Sequence, residues 1–401
     1  MRGDWSVSLS STRHCSGMKM QGSNRIRVLV VISNLSVGGA QKQVVLNAKY
    51  ADKDRYDVSV FCTSTYATSG PGALSKELEQ AGVSIELAKR RFRFDLLFIF
   101  QLAGLLRLRQ VDIVHSHLFA PSLWARLAAF LARTPVVLVT EHGLSLWKNR
   151  VHIAIDRILM NCTDMFIAVS DAVRQLRLER ERIPADKIVT LYNSVDSDGF
   201  LAAGRDVAKI REELGLREYD RVIGFVGRLA PIKGLETLIR AVGMLRDIPN
   251  LRLVLVGSGS QKEHLRALSR ELGMEGKVLF TGYRSDIPSL LALFEIAVLP
   301  SYMEACPTVL LEYMFAGKPV VASRVGGITE LVVDGENAFL IPPAQVDVLA
   351  GRLRFLLDNP KIGLEMGRSG YEYAVQNFSV RDQVMRLESF YEELLECKGI
   401  I

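Results

Sequence analysis

Short runs rich in Val, Ile and Leu alternate along this chain with longer stretches whose apolar positions recur at helical spacing. That alternation predicts parallel sheets joined by crossover helices. The first run, 28–32, leads into a glycine-bearing loop and a helix from about Ala40; further strands are predicted at 58–61, 83–87, 113–116, 136–140, 165–169 and 188–192. A second series follows at 222–226, 251–256, 277–281, 296–300, 319–322 and 338–341, and from about Val346 the chain reads as helical. Residues 197–206 hold two glycines and little periodicity, so they form the linker. The predicted organisation is therefore a disordered leader at 1–24, one doubly wound Rossmann-like α/β domain at 25–196, a second at 207–378, and a final helix at 379–401. Two such domains face each other across a cleft, and ligands of open α/β sheets sit just beyond the carboxyl ends of the strands.

Composition narrows the class. Of 401 residues, 49% are hydrophobic and 23% charged, which excludes global disorder and fibrous architectures. The five cysteines are scattered and form no C-x-x-C pair, so a reducing, cytoplasmic setting fits better than a disulfide framework or structural zinc. Residues 1–24 carry Arg2, Arg13 and Lys19 without an apolar stretch, which is no secretory signal; Met18 and Met20 are alternative starts. The longest apolar run, 96–106, is 11 residues long and holds Gln101, short of the roughly 20 that span a bilayer. Residues 1–200 carry 26 Lys and Arg against 18 Asp and Glu, the remainder 24 against 26. The basic half suits an anionic partner, and an unevenly charged solvated surface explains it equally well.

The residues after each strand carry the candidate chemistry. Gly38 and Gly39 open a helix, where the backbone approaches a phosphate or sugar or merely turns tightly. His115 and His117 share one strand face but lack a third metal ligand, which favours packing near the cleft. His142, between a strand and Gly143, either serves a sugar hydroxyl or developing charge or is structural. Arg228 and Lys233 flank a Gly/Pro turn and can converge on a leaving diphosphate. In the segment 300–319, Glu304 lies on a loop where it can hold sugar hydroxyls. Glu312 lies two helical turns on and can accept from a ribose; Pro307 suits the intervening helix start. Cys306 reads as a small buried filler rather than a nucleophile.

Together these segments resemble the retaining glycosyltransferases of family four, which have the GT-B fold. The pieces that match are Gly38-Gly39-Ala40, Val114–His117, Glu141–Gly143, Tyr192–Asp196, Gly227-Arg228 with Lys233-Gly234, Glu304/Glu312, Val325–Glu330 and Asp334-Gly335. The sequence departs from the family pattern at Ala305-Cys306-Pro307 and at Ser194. The resemblance makes the first domain the acceptor side and the second the donor side. It implies that Arg228 and Lys233 hold the nucleotide diphosphate, Glu312 the ribose and Glu304 the donor sugar, with the Thr308 and Val309 amides on the phosphates. Gly39 would lie under the donor and His142 at the reacting sugar; base contacts would come from backbone near Gly282, Tyr283 and Arg284. The final helix would cross back onto the first domain.

The implied activity is retaining hexosyl transfer from a UDP- or GDP-sugar to a glycan or lipid-linked acceptor, in cell-surface polysaccharide or glycolipid synthesis. With no enzymic nucleophile evident, a front-face mechanism follows. No cofactor or metal is expected: Asp52-Lys-Asp54 and Asp196-Ser-Asp198 resemble metal-binding pairs but are assigned to exposed connections. Lys89–Arg93, leading into the apolar run, matches an interfacial segment, so an anionic membrane surface, on the inner face of the plasma membrane, is a candidate partner; a core crossover helix is the competing reading. Nucleic acid is not expected. The alternatives are an inactive sugar-nucleotide-binding scaffold, which would have lost Arg228, Lys233 or Glu304, and a GT-B epimerase, which needs further acid/base carboxylates.

Overall fold

A computed structural model describes residues 25–64, 74–88, 97–197 and 206–401. The leader at 1–24, most of the linker and the basic segment Lys89–Arg93 lie outside the described residues. Two all-parallel sheets dominate. The first has the order β3-β2-β1-β4-β5-β6-β7, from β1 (Ile26–Ile32), β2 (Tyr56–Cys62), β3 (Ser84–Leu87), β4 (Ile113–His117), β5 (Val136–Glu141), β6 (Met165–Ala168) and β7 (Ile188–Thr190). The second has the order β10-β9-β8-β11-β12-β13, from β8 (Arg221–Val226), β9 (Leu251–Val256), β10 (Val278–Gly282), β11 (Ile296–Leu299), β12 (Val320–Ser323) and β13 (Phe339–Ile341). The strand order reverses at β1/β4 and at β8/β11. These are the two crevices where doubly wound sheets place their ligands.

Strands buried on both faces need apolar side chains on both, and β1 shows the consequence. Val28, Val30 and Ile32 pack on one side with Leu387, Tyr391 and Leu395 of the last helix, Val380–Cys397, which returns to the first sheet. Leu29 and Val31 pack on the other with Phe98, Leu102 and Leu106 of the helix Leu97–Leu108. The predicted apolar run is therefore a crossover helix with a core face, although it also exposes Phe100 and Leu108. No described helix is long and apolar enough to cross a membrane. A larger core fills the second sheet and continues into Val139, Phe166 and Ala168 of the first, so the two halves share buried contacts.

Candidate active site

At the second crevice three loops are tied together. The loop after β8 exposes Arg228 and tightens into the turn Pro231–Lys233, closed by Gly234 at φ 63°. A Cβ at Gly234 would sit 2.1 Å from the Pro300 carbonyl oxygen, so glycine alone lets this turn approach the end of β11. Lys233 Nζ consequently reaches Glu304 Oε1 at 2.5 Å, and Ser301 Oγ donates to the same oxygen at 2.6 Å. The Gly327 amide, after β12, donates to the Glu304 carbonyl at 3.2 Å. Next comes the helix Thr308–Phe315, with Pro307 at its N-cap position and no side-chain cap. Its Thr308 and Val309 amides thus stand at a helix start suited to anionic oxygen. Glu312 is buried one turn in, and the Val226 amide donates to Tyr313 Oη at 2.8 Å, fixing the end of β8 to this helix.

The rim beyond β8 is built of backbone. A Cβ at Gly257 would lie 2.0 Å from the Gly227 carbonyl oxygen, and the Gly257 amide donates to the Gly282 carbonyl at 2.8 Å. Gly227, Gly257 and Gly282 therefore form a contiguous row; sequence reasoning missed Gly257, although the glycine directly after β9 was the signal. Tyr283 is exposed at the end of this row. The Arg284 guanidinium is held by Glu213 and Asp286, leaving backbone for any contact there.

The first half meets this site through its Gly38-Gly39 turn. A Cβ at Gly39 would be 3.5 Å from Thr308 Oγ1, so the helices Gly39–Tyr50 and Thr308–Phe315 begin face to face across the cleft. One turn further, Lys42 Nζ forms an ion pair with Glu312. The neighbouring Gln43 side chain brackets Ser194, donating to its carbonyl at 2.7 Å and accepting from its amide at 2.9 Å. Asn193 donates from Nδ2 to the Cys306 carbonyl at 2.7 Å. Burial pushes the Cys306 thiol up to about 12, in keeping with a filler. Lys42 and Gln43 were not among the predicted site residues; their only signal was a position one turn inside the helix that follows the glycines.

Three histidines stack behind the first crevice. The His115 and His117 rings are 4.4 Å apart, and those of His117 and His142 are 5.1 Å apart. His115 is fixed at both nitrogens, 2.6 Å from Tyr391 Oη and 2.6 Å from Thr140 Oγ1. His117 Nδ1 lies 2.8 Å from His142 Nε2. Burial lowers His115 to about 3 and His142 to about 4, and it lowers His117 well below the usual value too. All three are neutral at pH 7, so each His117–His142 contact has one donor and one acceptor. His142 Nδ1 is buried without a hydrogen-bond partner. Among the described residues no group of three or more His, Cys, Asp and Glu is placed to hold a metal ion. One expectation needs correction: Asp196 is not in an exposed connection but is largely buried and paired with Lys49 at 2.8 Å. Asp52 and Asp54 are exposed.

Beneath the loop that carries His142 lies a closed charge network. Lys148 Nζ touches Glu141 at 3.1 Å, Asp156 at 2.8 Å and Glu181 at 3.4 Å. Arg126 pairs with Asp156 at 2.5 Å, and Arg177 pairs with Glu141 at 2.9 Å and with Glu181. Three cations balance three anions, so no charge is left buried without a counter-charge. The same loop places Leu144 against Gly326, beside the Glu304 carbonyl. The structure thus gathers Gly39, Thr308, Lys233, Glu304 and Glu312 at one cleft, with His142 on the loop that joins it from the first sheet.

Comparison with known proteins bears on the family and the fold. The family profile described as "Glycosyl transferases group 1" matches residues 206–373, and that of "Glycosyltransferase Family 4" matches 37–198. The chain is 30% identical over 308 residues to a putative glycosyltransferase, EpsD, of Bacillus subtilis, covering 74% of this chain and 80% of that one. It is 24% identical over 374 residues to a UDP-Gal:alpha-D-GlcNAc-diphosphoundecaprenol alpha-1,3-galactosyltransferase of Escherichia coli, covering 90% and 95%. The structure of Anabaena HepE in complex with UDP and glucose superposes with a TM-score of 0.79 at 25% identity, covering 92% of this chain and 100% of that one.

Proposed function

This chain belongs to the group 1 glycosyltransferases, with a two-domain GT-B fold, and from that premise we propose that it is a retaining hexosyltransferase. Its donor is a UDP- or GDP-sugar and its acceptor a glycan or lipid-linked sugar of cell-surface polysaccharide or glycolipid synthesis. The observation that carries this reading is the convergence of Lys233, Glu304, the Thr308 helix start and Gly39 on one cleft. The printed activity of the Escherichia coli relative and the UDP and glucose held by HepE supply the chemistry that such a cleft suits.

In this reading the sugar sits between Glu304 and His142, and the diphosphate lies against Arg228, Lys233 and the Thr308 and Val309 amides. As the bond from the anomeric carbon to the diphosphate oxygen breaks, that oxygen takes the proton of the incoming acceptor hydroxyl on the same face. The hydroxyl oxygen bonds to the anomeric carbon, and the nucleoside diphosphate leaves with the proton. The protein chiefly neutralises the leaving group and orients the partners. Fixed cations and a helix start neutralise the diphosphate without a divalent metal. Backbone around Gly282, Tyr283 and Arg284 lines the base position.

We also propose that the protein works at the cytoplasmic face of a membrane. The support is the basic segment Lys89–Arg93 preceding a helix that exposes Phe100 and Leu108. Salt-sensitive binding to anionic liposomes is expected, and no binding at low salt would contradict it. The main reading is tested by a screen of UDP- and GDP-sugars. Nucleotide release or a thermal shift with one of them is the expected result; silence from all of them would overturn the reading.

A further inference from the structure

Glu312, the carboxylate that would take the ribose, already has a partner, and that partner comes from the other domain. Lys42 reaches it from the helix Gly39–Tyr50, across the cleft. The Glu312 side chain is 7% exposed and the Lys42 side chain 40%, so the lysine is the more accessible partner of the pair. A hydroxyl that binds Glu312 competes with Lys42 for the carboxylate.

We propose that Lys42 is a donor-binding residue of the first domain, resting on Glu312 and passing to the diphosphate when a nucleotide enters. This rests on the nucleotide-sugar reading above. Lys42 is three residues beyond Gly39, about 4.5 Å along the helix axis, well within the sweep of a lysine side chain. Gly39 faces Thr308, at the helix start that the diphosphate would occupy. One ammonium can therefore serve either anion.

The exchange has a definite energetic sign. A charge-assisted hydrogen bond is roughly twice as strong as one between neutral groups. Ribose hydroxyls are neutral donors, so a nucleoside that takes Glu312 leaves Lys42 without an anionic partner. A nucleoside diphosphate offers the displaced ammonium a new and more highly charged one. The lysine thus disfavours nucleosides and favours nucleoside diphosphates. While it rests on Glu312, that carboxylate above all raises its pKa against the opposing effect of burial, with smaller help from Glu77 and Asp196.

The test is calorimetry of the full chain with two pairs of probes, uridine with UDP and guanosine with GDP, on wild type, Lys42→Met, Lys42→Gln and Lys42→Arg. With the pair that the wild type accepts, the Met and Gln variants should bind the diphosphate roughly tenfold more weakly. They should bind the nucleoside several-fold more tightly, and Lys42→Arg should stay close to wild type on both. Unliganded melting temperatures confirm that the variants are folded. Equal weakening of both ligands would mean that Lys42 merely supports Glu312, and unchanged affinities would mean no role; either overturns the proposal. Failure of wild type to bind UDP and GDP would instead sink the nucleotide-sugar reading beneath it.

Discussion

The two crevices use charge in opposite ways. Around the second sheet the charged groups stand on loops at the cleft: Arg228 is exposed, and the Lys233 and Glu304 side chains are 17% and 11% exposed. Around the first sheet the charges are withdrawn below the loop, with Lys148 and Asp156 at 2% and 4%, and the groups beside the cleft are neutral imidazoles. Groups that must neutralise a charge arriving with a ligand have to remain reachable. Groups that hold a loop in one shape can be balanced in charge by one another and sealed. The second crevice therefore reads as chemistry and the first as framework.

Exchanging the roles should fail in different currencies. Removing a reachable cation should cost rate: Arg228→Ala and Lys233→Ala should each lower turnover by about two to three orders of magnitude with the fold intact. Steady-state rates and melting curves on the same samples check this, and near-normal turnover in either variant would erase the contrast. Removing a sealed charge should cost stability. Asp156→Asn strips Lys148 and Arg126 of a shared anion and should destabilise the fold by about 3–5 kcal/mol in urea unfolding. A loss below about 0.5 kcal/mol, typical of surface changes, would show that the network is not the framework.

The last prediction concerns the imidazoles, whose effect vanishes at neutral pH. His115 and His142 titrate near 3 and 4 in the fold against an ordinary 6.5, so between those values the unfolded chain binds protons that the native one refuses. Their neutral burial costs nothing above pH 6.5, and stability falls as the pH drops toward 4, by up to about 1.4 kcal/mol per pH unit for each histidine. His115→Phe and His117→Asn should flatten that slope. An unchanged slope would place the acid sensitivity elsewhere.

How much of this contrast was legible depends on what each residue type advertises. Among the described residues the thirteen strands fall within two residues of the runs that predicted them, because strands buried on both faces are written in Val, Ile and Leu. The ends err both ways: β1 begins earlier, at Ile26-Arg27, where Arg27 pairs with Asp112 at 3.2 Å, whereas the apolar Val83, Val169 and Leu191 lie just outside their strands. Donor-side candidates were visible because a charged residue after a strand, beside Gly or Pro, is unusual. The pairs Lys42–Glu312 and Gln43–Ser194 were not visible, since they join residues 270 and 151 positions apart on different elements. The six-membered charge network was hidden although its members are close in sequence, because Arg126, Lys148 and Arg177 each look like ordinary surface cations. Asp196 was misplaced because a loop aspartate gives no sign of the Lys49 that buries it.

The central claim is a metal-independent front-face transfer by the donor-side charges. It is tested most directly by proton NMR of the product formed from an α-linked nucleotide-sugar in excess EDTA. The account predicts undiminished product formation with the anomeric signal of an α-linkage. An inverted anomer, or no product until Mn²⁺ is restored, would contradict it.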